Sequence, residues 1–475
     1  MNNRLSKKQM WIFAIGQLGW SILGGIINAW LVSFYLIGSD QQEKGTPNLI
    51  PSGLIIGGFL TVLGLITALC RIWDAVTDPL VANLSDNSKN PKGRRLPFMQ
   101  KAAIPFAVTT VLVFMAPVNG ISGVNIAWIS VMLVLFYTFM TIYCTPYNAL
   151  ISEFGKTQED RMNISTYISL TYFAGTLLAY TPFVFGGFLE PSVGYYNAYR
   201  ICFTVLAIIA VICMLIPTFK LKETDFIEVK PANTNAFKSL GNTFKNKNFC
   251  IFASSDIMYW VGITLFQTGL PFFVRYSMVL DPSFTMYFMG AMTVLSACFY
   301  PVVSKLVSKF GKKKLTIVGF IGLSIAYALT AICSKMDIAK NSATGYAFGI
   351  AVVVVAAFPM ALLGIIPQSI VADVAEEDSI KTHENREGMF FAARTFAMKF
   401  GQSLALLAFS SLAIIGADRS QELLQSNDIT PSKEGLMIVG IVAVAFCLIG
   451  ALILAFYNEK AVMETIEKNK KEVLE

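Results

Sequence analysis

The chain has 475 residues, of which 55% are apolar and only 14% are charged. Soluble globular domains carry about 25% charged residues, so the composition excludes a soluble enzyme, a disordered scaffold and a secreted disulfide-rich protein. The mean hydropathy of +0.60 instead indicates many membrane spans. The net charge of +7 is modest and does not indicate nucleic-acid binding.

Twelve apolar stretches are long enough to cross a bilayer, which takes about 20 helical residues. They lie at 9–38, 52–84, 98–118, 124–153, 162–188, 198–219, 250–278, 284–308, 315–334, 345–374, 387–416 and 432–457. One long polar connection divides them into six spans and six. The sequence therefore predicts an all-α membrane protein with a six-helix bundle at 1–219, a cytoplasmic loop at 220–249, a second bundle at 250–458 and a cytoplasmic tail at 459–475.

Basic residues are concentrated on one side of the predicted spans. Of the 37 Lys and Arg residues, 27 lie in the terminal segments and even-numbered loops, and six lie in the other loops. Because Lys and Arg collect on the cytoplasmic side of a membrane, both termini are predicted to be cytoplasmic. We expect a multi-pass protein of the cell membrane (inner or plasma membrane).

The two halves resemble each other weakly. Gly93–Arg95 follows span 2, and Gly311–Lys313 follows span 8. Duplicated six-helix bundles are the plan of the major facilitator fold, in which the substrate lies at mid-membrane between the halves. Acidic residues at the ends of spans 4 and 10 are followed by arginines, which predicts gate pairs that break when the cytoplasmic side opens. The pairs are Glu153 with Arg161 and Asp373 with Arg386.

Charged residues inside a span are informative, because a charge near the bilayer centre costs at least about 2.5–3.5 kcal/mol. In span 2, Asp74 and Asp78 are one helical turn apart and share a face, with Thr77 beside them. Two carboxylates and a hydroxyl form an oxygen-rich site suited to a hard cation or a proton. A simpler alternative is that Arg71 pairs with Asp74 and holds helices together.

Polar and aromatic residues at helical spacing in spans 1, 7 and 11 predict a substrate pocket. Amide and charged groups beside flat aromatic faces suit a sugar, and a cationic pair at Arg394 and Lys399 suits an acidic sugar such as a uronide. The alternatives are that the span-1 amides only pack helices and that Lys399 snorkels to the surface. The predicted residues are Gln17, Trp20, Ser21, Asn28, Asp256, Trp260, Arg394, Lys399 and Gln402.

The run Arg71–Pro79 reads R-x-W-D-A-x-x-D-P and resembles the glycoside–pentoside–hexuronide:cation symporters of the major facilitator superfamily. The resemblance continues through Pro146–Leu150 in the first half. It reaches Arg386–Gly388 and Lys399–Gly401 in the second half, in matching order. It therefore covers nearly the whole chain, and the span-2 motif is its most specific part.

The resemblance implies a cation-coupled sugar symporter that works by alternating access. Asp74 and Asp78 match the acids that bind the coupling cation in the family. Thr77 and Thr141 match positions that contribute to the same site, and Lys399 matches a lysine near both cation and sugar. The coupling cation is expected to be Na⁺ at Asp74 and Asp78, or H⁺, with Li⁺ as a third candidate.

The resemblance also implies that Arg94 and Arg95 link helices on the cytoplasmic side, and we assign them to topology and gating. The charged contacts by which the family recognises galactosides are replaced here. Trp20–Ser21, Cys144 and Ser169 stand at the matching positions, and Asn148 replaces a tryptophan. We therefore expect a different pocket that includes Asn148. The alternative is symport of a lipid-like or other amphiphilic solute, since relatives with this fold carry lysolipids.

A membrane enzyme is not predicted. The single histidine, His383, excludes a multi-histidine metal site, and the eight cysteines form no C-x-x-C pair. No cofactor other than the coupling cation is expected. The expected partners are a small sugar-like molecule, the coupling cation and the lipid bilayer, for a chain that is a monomer and binds no nucleic acid.

Overall fold

The computed structural model describes residues 4–37, 41–42, 44–51, 54–56, 60–86, 88, 90–155, 158–226, 241, 243–382, 387–416 and 431–474. These residues form fourteen α-helices, so the prediction of an all-α protein is confirmed apart from one short hairpin. The first seven helices are α1 (Lys7–Tyr35), α2 (Val62–Asp86), α3 (Leu96–Val113), α4 (Gly123–Phe154), α5 (Gln158–Ala179), α6 (Pro182–Val193) and α7 (Tyr195–Lys220). The other seven are α8 (Lys247–Phe272), α9 (Phe284–Phe310), α10 (Lys312–Lys335), α11 (Ala343–Thr382), α12 (Glu387–Leu412), α13 (Lys433–Leu454) and α14 (Glu459–Leu474).

The chain divides into two compact units. The first consists mainly of Met1–Asn233, and the second of Thr234–Asp281, Tyr287–Ala417 and Pro431–Glu475. In the first unit α1 packs on α5 and α7, and α3 packs on α4 and α7. In the second unit α8 packs on α12 and α13, and α10 packs on α11 and α13. Helices at corresponding places in the chain therefore have corresponding neighbours.

Ten helical stretches of the described residues are long and apolar enough to cross a membrane, as judged by length and composition. Helices α2 and α12 are not among them, although they have 25 and 26 residues. Both helices carry charged residues in their middle parts, which lower their hydropathy. The charged positions are Arg71, Asp74 and Asp78 in α2, and Arg394 and Lys399 in α12.

The predicted second span begins too early. Residues predicted as its first turns form an antiparallel hairpin of β1 (Leu54–Ile56) and β2 (Leu60–Thr61). The hydroxyl of Thr61 accepts a hydrogen bond from the backbone N–H of Gly64 at 3.1 Å. A threonine that satisfies a free N–H of the first turn is a helix start signal, so α2 begins at Val62 and not at residue 52.

The predicted fifth span is interrupted. Helix α5 ends at Ala179, and α6 begins at Pro182. Proline has no N–H to donate and is favoured in the first turn of a helix, so a new helix starts there. The predicted seventh span likewise changes form, because α8 ends at Phe272 and a π-helical turn follows at Phe273–Ser277.

Candidate functional site

Two threonine hydroxyls contact Asp74, one at its carboxylate and the other at its backbone carbonyl. Asp74 itself is fully buried. Thr141 on α4 donates from Oγ1 to Asp74 Oδ1 at 2.8 Å. Thr77 donates from Oγ1 to the Asp74 carbonyl oxygen at 3.0 Å, and the two threonine oxygens are 3.3 Å apart. The structure thus brings together three of the four residues predicted for the cation site.

The fourth residue, Asp78, lies one turn further along α2 and is partly buried. Its Oδ1 accepts a hydrogen bond from Thr145 Oγ1 at 3.2 Å. Sequence reasoning missed Thr145, although a signal was present. Thr145 follows Thr141 by one turn of α4, just as Asp78 follows Asp74 by one turn of α2, and the two contacts step along both helices in the same direction.

Arg71 joins this group to two neighbouring helices. Its Nη1 is 3.6 Å from Asp74 Oδ2, and its Nη2 donates to Asn28 Oδ1 on α1 at 3.1 Å. The guanidinium carbon lies 4.8 Å from the centre of the Tyr137 ring on α4, a cation–π distance. The Arg71–Asp74 pair considered as an alternative is therefore present, but both residues belong to α2, and the contacts between helices are made by Arg71 with Asn28 and Tyr137.

The opposite face of α2 is apolar and exposed. It carries large side chains at helical spacing, namely Ile72, Trp73, Val76 and Leu80. In a bilayer such a face contacts lipid, whereas the charged face packs against α4 and contacts α1 through the hydrogen bond from Arg71 to Asn28. This division explains how one helix keeps three charged residues, because each charge lies on the covered side and near a polar partner.

Two of the predicted substrate residues on α1 are buried in helix packing. Gln17 and Ser21 are each about 3% exposed, and Ser21 Oγ donates to the Gln17 carbonyl oxygen. A Cβ at Gly175 on α5 would lie only 2.4 Å from Ser21 Oγ, so the two helices touch there. In this part of α1, Gln17 and Ser21 therefore pack helices together, as the alternative to a substrate pocket predicts.

The remaining face of α1 is more open. Trp20 is partly exposed, and its Nε1 has no hydrogen-bond partner among the described residues. Asn28 is exposed, and a Cβ at Gly24 would meet no atom within 4 Å. Trp20, Gly24 and Asn28 are four residues apart, so they follow one another along the same side of the helix.

In the second unit, Asp256 on α8 and Arg394 on α12 form a buried ion pair. Arg394 Nε is 3.0 Å from Asp256 Oδ2, and Nη2 is 3.4 Å from Oδ1. The Asp256 side chain is 1% exposed and that of Arg394 is 14% exposed. Arg394, predicted to form a cationic pair with Lys399, therefore also has an acidic neighbour in Asp256.

Lys399 is buried in α12, at 7% exposure, so it does not snorkel to an exposed surface of this unit. The contact between α8 and α12 is close nearby. A Cβ at Gly401 would lie 2.8 Å from the Ile257 carbonyl oxygen and 3.1 Å from Trp260 Cβ. Trp260 is partly buried, and its Nε1 has no partner among the described residues. The other predicted residues, Gln402 and Asn148, are partly buried and exposed respectively.

The predicted gate residue Glu153, at the end of α4, contacts two arginines. Arg95 Nη2 donates to Glu153 Oε1 at 2.8 Å, and Arg94 Nη2 donates to the same oxygen. The partner predicted for Glu153 was Arg161, whose side chain lies outside the described part of the chain. In the described residues the gate pair joins the end of α4 to the start of α3, and Arg94 and Arg95 take the place assigned to Arg161.

Sequence reasoning missed Glu223, which is fully buried after α7. Its carboxylate accepts hydrogen bonds from the backbone N–H groups of Arg94, Arg95 and Leu96 at 2.8–3.1 Å. Gly93 precedes them with a φ of +119°, and a Cβ there would lie 2.4 Å from Glu223 Oε2. Glycine is therefore required at this turn for both its conformation and its size.

The second unit repeats the same arrangement. Lys312 Nζ, at the start of α10, donates to Asp373 Oδ2 at 2.5 Å. Glu459, at the start of α14, accepts from the backbone N–H groups of Lys312 and Lys313 at 2.6 and 3.1 Å. Gly311 precedes them with a φ of +82°. The described partner of Asp373 is thus Lys312.

The predicted partner of Asp373, Arg386, lies outside the described residues. Within those residues no group of three or more His, Cys, Asp and Glu side chains is placed to hold a metal ion. A cation at α2 would accordingly depend on two carboxylates and on threonine hydroxyls.

Comparison with known families shows which family the chain belongs to. The sequence profile described as MFS/sugar transport protein matches residues 12–460. This chain belongs to the MFS/sugar transport protein family. The resemblance to sugar:cation symporters of the major facilitator superfamily is thereby confirmed, and the protein is a multi-pass membrane transporter and not an enzyme.

Several relatives of this family member are symporters. It is 25% identical to the uncharacterized symporter YjmB of Bacillus subtilis (strain 168), over 87% of this chain and 84% of the relative. It is 25% identical to the sodium-dependent lysophosphatidylcholine symporter 1 of Xenopus tropicalis, over 96% and 90%. It is also 25% identical to the putative glycoside/cation symporter YagG of Escherichia coli (strain K12), over 72% of each chain.

Solved structures with the same fold include a D-xylose-proton symporter and the nucleoside transporter NupG. The first gives a TM-score of 0.65 at 16% identity, over 94% of this chain and 97% of the other. The second gives 0.61 at 14% identity, over 97% and 98%. At these identities the likeness establishes the fold of this family member and nothing about its substrate.

Proposed function

We propose that this protein is a symporter of the plasma membrane that couples transport of a sugar, glycoside or uronide to a cation by alternating access. The observation that carries the proposal is the fully buried Asp74 carboxylate among the hydroxyls of Thr77 and Thr141. Arg71 at 3.6 Å offsets part of the cost of burying this carboxylate, and the hydroxyl oxygens beside it are ligands for hard cations. Na⁺ and H⁺ are the proposed coupling ions, with Li⁺ as a third.

We propose twelve spans with both termini in the cytoplasm, for a chain that acts as a monomer. Ten helical stretches qualify by composition, and α2 and α12 are the other two. A helix of 25 residues is about 37 Å long, which exceeds the roughly 30 Å hydrocarbon core. Their charged residues lie on sides covered by other helices, so α2 and α12 can cross the bilayer despite their lower hydropathy.

We assign cation binding to Asp74 and Asp78, with oxygen ligands from Thr77, Thr141 and Thr145. In the structure these hydroxyls donate to carboxylate or carbonyl oxygens. A hydroxyl can rotate and offer a lone pair, so the same oxygens can turn to a cation when it arrives. With H⁺ as the coupling ion, one of the two carboxylates would instead take the proton.

The proposed sugar contacts come from amides, indoles and one lysine, of which Asn28 and Asn148 are exposed and Lys399 is buried. Two indole N–H groups without described partners, at Trp20 and Trp260, can donate to sugar hydroxyls. The ring faces can pack against the C–H side of a sugar. The full proposed set is Gln17, Trp20, Ser21, Asn28, Asn148, Asp256, Trp260, Arg394, Lys399 and Gln402, although Gln17, Ser21, Asp256 and Arg394 already have packing or ion-pair roles.

A second candidate is symport of a lipid-like or other amphiphilic solute. It is favoured by one observation, the 25% identity to a lysophosphatidylcholine symporter over 96% of this chain.

For gating, we propose that Glu153 with Arg94 and Arg95, and Asp373 with Lys312, hold the cytoplasmic ends of their helices together. These ion pairs would break when the cytoplasmic side opens. Arg161 and Arg386 remain candidate partners from the sequence.

Uptake into proteoliposomes tests the proposal. A panel of neutral glycosides, pentosides, uronides and lysophosphatidylcholine is offered with an imposed Na⁺ gradient or an imposed H⁺ gradient. We expect concentrative uptake of a sugar with one gradient, and its loss in Asp74→Asn and Asp78→Asn proteins that still reach the membrane. The matched control is Asp225→Asn, which removes an exposed carboxylate after α7.

Cation-driven uptake of lysophosphatidylcholine and of none of the sugars would favour the second candidate. Normal concentrative uptake by both the Asp74 and the Asp78 variants would contradict the assignment of the cation site.

A further inference from the structure

The guanidinium of Arg71 is shared between two places with different proposed roles. One nitrogen lies 3.6 Å from the carboxylate of Asp74, in the proposed cation site. Another donates to the side chain of Asn28 at 3.1 Å, on the open face of α1 proposed to contact substrate. The Arg71 side chain is only 7% exposed, so it cannot turn to water when one of these contacts weakens.

A cation at Asp74 competes directly with Arg71. Both are positive, and both are stabilised by the same carboxylate. When the cation binds, it screens Asp74 from Arg71 and repels the guanidinium, an interaction that is strong because the surroundings are buried. The attraction of Arg71 to Asp74 therefore weakens, and Arg71 binds its other hydrogen-bond acceptors in preference.

The described acceptor on the other side is Asn28. The Asn28 side-chain oxygen Oδ1 accepts a hydrogen bond from Arg71 Nη2. This bond fixes the direction in which the Asn28 amide N–H groups point. Asn28 lies on the same side of α1 as Trp20 and Gly24, where α1 is open. A change in the position of Arg71 thus alters the orientation of a polar group on this face.

We propose that Arg71 and Asn28 are positioning residues that carry the energetic coupling between the cation and the sugar. Without the cation, Arg71 compensates Asp74 and holds Asn28 only in part. With the cation bound, Arg71 moves toward Asn28, fixes its amide and presents a sugar-binding arrangement on α1. This inference rests on the proposed symport. Symport requires that cation binding and sugar binding strengthen each other, and the inference names the two residues that link them.

The coupling must be reciprocal. If saturating Na⁺ lowers the Kd for the sugar by some factor, saturating sugar must lower the Kd for Na⁺ by the same factor. Couplings of this kind range from about fivefold to 150-fold. A residue that only binds sugar changes the KM at every Na⁺ concentration, whereas a coupling residue changes this factor.

The experiment measures the coupling factor in wild-type protein, Asn28→Leu and Asn28→Asp. The probes are Na⁺ and whichever of methyl β-D-xyloside, methyl β-D-glucoside and methyl β-D-glucuronide is taken up fastest by the wild type with Na⁺. Ser33→Ala on the same helix is the matched control, because Ser33 Oγ bonds only to the Ala29 carbonyl of its own helix in the described structure. Thermal unfolding in detergent gives the Na⁺ affinity without sugar.

For Asn28→Leu we expect a coupling factor below about twofold where the wild type shows at least about fivefold, equally in both directions. We also expect weaker Na⁺ binding without sugar, because Arg71 then stays on Asp74. Asn28→Asp should do the opposite and tighten Na⁺ binding, since the new carboxylate draws Arg71 away from Asp74. Ser33→Ala should match the wild type.

An unchanged coupling factor in Asn28→Leu, with the KM raised equally at low and saturating Na⁺, would overturn the proposed link and leave the symport itself intact. Unchanged Na⁺ affinity in both Asn28 variants would overturn it as well. If the wild type instead took up its best sugar equally with and without any cation gradient, the proposed symport would fail, and this inference with it.

Discussion

Each unit contains an arginine that lies close to a buried aspartate. In the first unit Arg71 stands beside Asp74, and in the second Arg394 stands beside Asp256. The two pairs differ in geometry. Arg394 holds Asp256 with two nitrogens at 3.0 and 3.4 Å, whereas Arg71 reaches Asp74 at 3.6 Å and is shared with Asn28. The tighter pair suits a permanent clamp between α8 and α12, and the looser one suits a site that exchanges partners.

The clamp gives a prediction for Asp256→Asn. The variant leaves the Arg394 charge buried without its carboxylate, so we expect the free energy of unfolding to fall by roughly 3–5 kcal/mol. Asp256→Asn combined with Arg394→Gln removes both charges and should recover most of the loss. Thermal unfolding of the purified variants measures both effects.

The matched control for the clamp is Asp337→Asn, which removes the fully exposed carboxylate that pairs with Lys433 and should leave the melting temperature unchanged. A double variant that is as stable as the wild type but selectively loses uronide uptake would show that Arg394 binds the substrate carboxylate. Equal stability of the single Asp256 variant and the wild type would contradict the clamp.

At the level of elements, the starts of α3 and α10 are built alike. Each follows a glycine with positive φ, and each offers free backbone N–H groups to a distant glutamate, Glu223 or Glu459. Negative charge at a helix N-terminus is favourable because the free N–H groups and the helix dipole both point there. The carboxylates therefore hold the segment after α7 to the start of α3, and the start of α14 to the start of α10.

These contacts mark a limit of prediction from sequence. The glycine and basic runs at Gly93 and Gly311 were recognisable as a repeat, and so were the acids of the span-2 motif. Glu223 was not, because its role depends on a contact 129 residues away and its surroundings in the sequence are polar, like a loop. The sequence predicts Arg161 and Arg386 as gate partners because each follows its acidic residue along the chain. The partners described for Glu153 and Asp373 belong to other helices and are distant in sequence.

Glu223→Gln should destabilise the first unit by roughly 2–3 kcal/mol. The variant loses the negative charge and replaces one acceptor oxygen by an N–H₂ group that faces backbone donors, so bonds to a charged acceptor are lost. Glu459→Gln should have a smaller effect, since that carboxylate accepts from two backbone groups and not three. The melting temperature in detergent measures both.

Glu464→Gln is the control for the caps, because Glu464 is an exposed residue of α14 with an exposed lysine partner. We expect it to unfold like the wild type. A Glu223 variant that also unfolds like the wild type would show that the cap adds no stability.

At the scale of the whole molecule, the contacts that repeat in the two units lie at the loops where the sequence concentrates its basic residues. The two glutamate caps and the two acid–base pairs occur at the basic loops after spans 2 and 8, which the distribution of Lys and Arg assigns to the cytoplasm. The ten apolar stretches that the described residues contain could be predicted because each depends on composition over about 20 residues at a time. The start of α2 and the break before Pro182 could not, because each depends on a local turn inside an apolar stretch.

The proposed topology predicts which side of the membrane each loop occupies. In a cysteine-free background, Lys92→Cys and Lys460→Cys should react with a membrane-impermeant thiol reagent only after the cells are permeabilised. Asp337→Cys should react in intact cells, because Asp337 is fully exposed and lies in an odd-numbered loop with few basic residues. The background is needed because eight native cysteines are present. Labelling of Lys460→Cys and Asp337→Cys on the same side would contradict the proposed topology, because three proposed crossings, α11, α12 and α13, separate these positions.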